Sequence, residues 1–128
     1  MLLEQRTYDI SPGVPMTDFL REYSKRGLPA QKRILEGFVG YFVTEFGTQN
    51  QVNHFWAFAD LEDRRRRRAA LAADPEWQDC ISVVRPMIVR WDNKIMYPTD
   101  FSPINSLPVG SDEPFTAFTY TGTGTNAS

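Results

Sequence analysis

The sequence predicts an α+β domain in which a four-stranded antiparallel sheet carries its helices on one face. Three observations predict it. Strand-like and helix-like periodicities follow one another as strand, helix, strand, strand, helix, strand between residues 2 and 97. The strand around the only histidine, Gln51–Phe58, has large apolar residues on both phases of its alternation, as a strand buried on two sides requires. At 128 residues the chain holds one domain with a real core but not two.

Leu2–Ile10 mixes β-branched, aromatic and polar residues, and Ser11-Pro12-Gly13 ends the strand. Met16, Phe19, Leu20 and Tyr23 then form the i, i+3, i+4, i+7 stripe of an amphipathic helix, with Pro15 at a position where its missing N–H costs nothing. Arg26-Gly27-Leu28-Pro29 interrupts this helix, a shorter piece runs to Leu35, and Gly37 is its expected cap. Residues 38–46 read as a strand with Phe38, Phe42 and Phe46 on one face and Val39, Tyr41 and Val43 on the other. A hairpin loop at 47–50 returns the chain antiparallel through the His54 strand. Asp60 caps the next helix, and Asp74-Pro75-Glu76 starts its second piece, whose stripe is Trp77, Cys80, Ile81 and Val84. Pro86 ends that piece, and residues 88–97 form the last strand.

This order is the split βαβ arrangement, ferredoxin-like βαββαβ, with the far face of the sheet bare in a monomer. That face is expected to expose several aromatics, so the chain is expected to form a homodimer, sheet against sheet. Residues 1–104 are read as the folded domain and 105–128 as a partly flexible C-terminal extension, in which 115–120 could add an edge strand and the last eight residues fray.

Net charge of about −2 disfavours nucleic acid and anionic membrane as partners. Residues 1–6 show no signal-peptide pattern, no stretch is long and apolar enough to span a membrane, and the single Cys80 cannot make an internal disulfide. A cytoplasmic protein is expected. The run Arg64 to Arg68 covers more than one helical turn and reads as a solvated face, not an anion site. Cys80 sits on an apolar stripe and reads as a small buried hydrophobe.

Alternation places Val52, His54, Trp56 and Phe58 on one face of their strand, and Glu4, Arg6 and Tyr8 on one face of the first. The two strands are neighbours in this topology, so the sets meet if both point away from the helices. Such a group could bind a carboxylate or enolate, or move a proton. The plainer reading is that Glu4 and Arg6 pair and His54 is a satisfied interior histidine. One histidine and one cysteine do not supply a zinc centre, a lone histidine among aromatics is more often core than a haem ligand, and Gly122-Thr123-Gly124 precedes no helix; no metal or cofactor is expected.

Glu4-Gln5-Arg6-Thr7-Tyr8, Pro12-Gly13, Gly27-Leu28-Pro29, Gly40-Tyr41-Phe42, Asn53-His54-Phe55-Trp56-Ala57-Phe58, Asp63-Arg64, Asp74-Pro75-Glu76-Trp77 and Thr99-Asp100-Phe101-Ser102-Pro103 together resemble the NIPSNAP family, in order, over about residues 2–104. The resemblance implies the dimeric α+β barrel fold. That superfamily includes cofactor-free monooxygenases, haem-degrading enzymes, isomerases and polyketide cyclases, so it implies no single reaction. The chain departs from the family at Gln5, usually apolar, and after Ile104. It looks like a short bacterial member, and the mitochondrial and membrane roles of eukaryotic relatives are not carried over.

The expected function is a barrel that holds a small apolar or aromatic metabolite between its sheets. A cofactor-independent isomerase, cyclase or monooxygenase type of step would use His54 as acid/base, with Tyr8 and Arg6 orienting or stabilising charge. Glu4, Trp56, Phe58 and Tyr41 would bind the ligand. The alternative is a non-catalytic interaction module acting through its dimer surface or tail.

Overall fold

The computed structural model describes residues 1–106. The strands β1 (Leu2–Ile10), β2 (Phe38–Val43), β3 (Gln51–Phe58) and β4 (Ile88–Met96) form one antiparallel sheet in the order β2-β3-β1-β4. The helices α1 (Met16–Glu22), α2 (Leu28–Leu35), α3 (Leu61–Ala72) and α4 (Pro75–Val84) complete a ferredoxin-like βαββαβ fold. Phe19, Tyr23, Leu35, Leu71, Trp77 and Val84 from the helical layer pack on Leu2, Ile10, Val52, Trp56 and Phe58 of the sheet. Both expected helix starts are present: Asp60 accepts from the Asp63 N–H at 2.7 Å and Asp74 from the Trp77 N–H at 3.0 Å.

The first helix is not interrupted at Gly27-Leu28-Pro29. A π-helical turn, Tyr23–Gly27, joins α1 to α2, with the Leu28 N–H reaching back to the Tyr23 carbonyl. Gly27 is there for space, because a Cβ on it would lie 2.6 Å from Cys80 Sγ of α4. The cap of α2 is Glu36, at φ +68°, and not Gly37. Gly37 has a different reason to be glycine: a Cβ would overlap the Ala57 carbonyl of β3.

An extra residue at Val39 shifts the β2 register, so Phe38 faces Trp56 while Tyr41 faces His54. Phe38 and Tyr41 therefore share the helix side, and Phe42 is on the other, against the face assignment made from strict alternation. Phe46 lies beyond the strand, in a 44–50 loop longer than expected. Asn50, at φ +56°, pins this loop by donating from Nδ2 to the carbonyls of Ile10, Ser11 and Val14.

The sheet face away from the helices, uncovered among the described residues, is more polar than the expectation of several exposed aromatics. Phe42 and Phe55 lie there edge to face at 5.8 Å. Around them Gln5, Thr7, Thr44, Gln51 and Asn53 form a hydrogen-bonded side-chain network. Residues 115–120 and the tail lie outside the described residues.

Candidate functional site

The β1–β3 register sets Glu4 opposite Trp56, Arg6 opposite His54 and Tyr8 opposite Val52. The two sets meet, but on the helix side of the sheet and not away from it. The same alternation phase carries Leu2, Ile10, Val52, Trp56 and Phe58, the larger apolar area, and burying that area takes Glu4, Arg6 and His54 inside with it.

Glu4 is fully buried and accepts four hydrogen bonds from three residues. Arg6 Nη1 donates at 3.0 Å, Arg64 Nε and Nη2 at 3.1 and 2.8 Å, and Asn93 Nδ2 at 2.9 Å. Burial alone would raise its pKa. The bonds from Arg64 and Asn93 and the charges of Arg6 and Arg64 outweigh that and hold it at about 2. Arg6 also donates from Nε to the Tyr8 hydroxyl at 3.1 Å.

His54 is fully buried, and its Nδ1 accepts from Trp56 Nε1–H at 2.7 Å. The neutral ring therefore carries its proton on Nε2, which has no hydrogen-bond partner among the described residues. Tyr41 stacks on the ring at 4.5 Å and Tyr8 meets it edge on at 4.8 Å. Burial, then the charge of Arg6, pushes the imidazole down to about 3. At neutral pH His54 is a fixed N–H donor. Trp56 and Phe58 belong to the core beside it.

Between sheet and helices opens a cleft of about 110 Å³. Arg6, Tyr8 and Arg68 give it polar surface; Trp77 and Ile81 of α4 and Trp91 of β4 give it apolar walls. The 58% exposure of Trp91 shows where it meets solvent. Of the residues expected at the site, Arg6 and Tyr8 line this cleft, His54 lies behind Tyr8, and Glu4 is committed to its arginines.

The arginine run is not a solvated face. Arg64 binds Glu4, and Arg67 binds Asp63 and Glu36. Arg68 reaches the cleft, and only Arg65 and Arg66 are exposed. Arg64, Arg68 and Leu71 occupy i, i+4 and i+7, the inward stripe of α3, and that spacing was the signal for both residues. Asn93 and Trp91 carry no such signal. Cys80 is buried as expected, and burial raises its thiol pKa. Among the described residues no group of three or more His, Cys, Asp or Glu side chains could hold a metal ion, and no helix is long and apolar enough to cross a membrane.

A family model for NIPSNAP matches residues 3–103. The NipSnap protein of Drosophila melanogaster is 30% identical over 102 residues, 80% of this chain and 36% of that protein. The chain thus spans about a third of the length of this curated relative. The crystal structure of a NIPSNAP family protein from Agrobacterium tumefaciens str. C58 superposes with a TM-score of 0.78 at 40% identity, covering 81% of this chain and 98% of the other. A crystal structure of an antibiotic biosynthesis monooxygenase shares the fold, with a TM-score of 0.58 at 13% identity over 77% of this chain and 99% of that one. With nearly the whole described domain matched by the family and by a solved member of it, this chain belongs to the NIPSNAP family.

Proposed function

We propose that this chain is a homodimeric barrel protein of the cytoplasm that binds a small apolar or aromatic metabolite, and that it does so between sheet and helices, not between two sheets. The observation that carries the reading is the cleft itself, in which indole and aliphatic walls stand over the Arg6, Tyr8 and Arg68 side chains. Residues 1–104 form the working domain, with 105–128 as an extension to it. Two exposed or half-buried rings on the bare face, Phe42 and Phe55, and the likeness to dimeric-barrel folds support sheet-to-sheet pairing.

In the enzymatic form of this reading the chemistry needs no cofactor and is of isomerase, cyclase or monooxygenase type. Arg6 and Tyr8 touch the ligand and stabilise developing negative charge. His54, a neutral ring in edge contact with Tyr8, helps orient Tyr8, with Tyr41, Trp56 and Phe58 holding it in place and Glu4 fixing Arg6. The alternative, a non-catalytic interaction module, has one observation on its side. Glu4 and His54, the two groups best suited to proton transfer, are both locked in ionisation states that resist change near neutral pH.

Native mass spectrometry of the protein purified from its own host tests the proposal. A two-chain species carrying a discrete small-molecule adduct is the expected result. A single-chain species would overturn the dimer, and a dimer with no adduct would shift the reading to the interaction module.

A further inference from the structure

We infer that the ligand of this cleft is an organic acid, one aromatic ring bearing a carboxylate, held by Arg68 and the Tyr8 hydroxyl; this rests on the cleft being the binding site. The first support is charge. Glu4 is the buried carboxylate among these arginines, and it is already shared by Arg6, Arg64 and Asn93. Arg68 makes no salt bridge among the described residues, and its Nη1 is buried with no hydrogen-bond partner. A guanidinium left so is costly unless an anion meets it, and a planar carboxylate is the shape it matches best.

The second support is the direction of the bond between Arg6 and Tyr8. The Tyr8 oxygen accepts from Arg6 Nε at 3.1 Å, which leaves its own O–H free to donate. Arg68 and Tyr8 both line the cleft, so its donors include these two of different kinds, and its lining residues include no carboxylate. Two carboxylate oxygens would satisfy both.

The third support is size and lining. The cleft's volume of about 110 Å³ is of the order of the ~150 Å³ cavity that accommodates benzene in other proteins, so it suits one ring. Trp77, Ile81, Ile88 and Trp91 offer that ring apolar and aromatic contact. Arg85, exposed beside them, adds a further positive charge where the anion enters.

Matched acids and amides separate the acid inference from the cleft reading beneath it. Benzoate against benzamide, phenylacetate against phenylacetamide and 3-phenylpropionate against 3-phenylpropanamide are titrated at millimolar concentration. Binding is read by tryptophan fluorescence and ligand-observed NMR. At least one acid should bind about tenfold or more tightly than its amide. Arg68→Gln should remove that preference, bringing acid affinity down to that of the matched amide. Acids and amides binding equally to the unmodified chain would overturn the acid inference and leave the cleft standing. Binding of none of the six would overturn both. The comparison on the unmodified chain decides the matter even if Arg68→Gln fails to fold.

Discussion

With Nδ1 already accepting from Trp56, the His54 ring has only an N–H to offer. Its folded pKa of about 3 lies below its ordinary 6.5, so between those values the unfolded chain binds the extra proton. Stability is therefore lost as pH falls from 6.5 toward 3. His54 is the chain's only histidine, so the loss between pH 7 and pH 5 is assigned to it. It should amount to about 2 kcal/mol. Urea denaturation at the two pH values should show this for the unmodified chain, and a much smaller change for His54→Gln. Nitrogen-15 NMR should find the Nε2–H tautomer persisting to about pH 4. A midpoint near 6.5 in the folded protein would mean that the ring is solvated and free to act as a base.

The joints between elements depend on close approach more than on propensity. Gly37 is the tightest, since its carbonyl accepts from the Ala57 N–H at 2.7 Å while any Cβ would overlap the Ala57 carbonyl. Gly37→Ala must separate α2 from the end of β3 and should cost about 3 kcal/mol or more. Gly13→Ala is the control: nothing lies within 4 Å of its Cβ, and the change should stay within about 0.5 kcal/mol. Chemical denaturation of the two variants checks the contrast, and equal costs would show that the joint relaxes. Gly27 works in the same way against Cys80, which is why the sequence shows a break where the helix in fact runs on through a π turn.

At the scale of the whole molecule the open surface among the described residues is the sheet face away from the helices. Its amide and hydroxyl network is satisfied internally, so in the proposed dimer the apolar contribution to pairing would fall chiefly on Phe42, 57% exposed, and Phe55 beside it. Light scattering after size exclusion should give a two-chain mass for the unmodified protein. Phe42→Glu should move it to the one-chain mass without loss of helix or sheet by circular dichroism. A dimer indifferent to Phe42→Glu would place the contact elsewhere.

The sequence by itself determined the order of the elements, both acidic helix caps and the sharing of one face by Glu4, Arg6 and Tyr8 with His54 and Trp56. Each of these follows from local chemistry: a period, a cap, a register of two. It also placed the chain in its family, through motifs spread over the domain. Only the tertiary structure decided which way that face points. The choice depends on the summed apolar area of Leu2, Ile10, Val52, Trp56 and Phe58 against the helices, and no single strand contains that sum. The same global decision turned Arg64 and Arg68 inward and made His54 a donor. It also opened a cleft between the sheet and the helices. A bulge at Val39 and close contacts at Gly27 and Gly37 stayed hidden for a related reason: each is set by a partner far away in the chain.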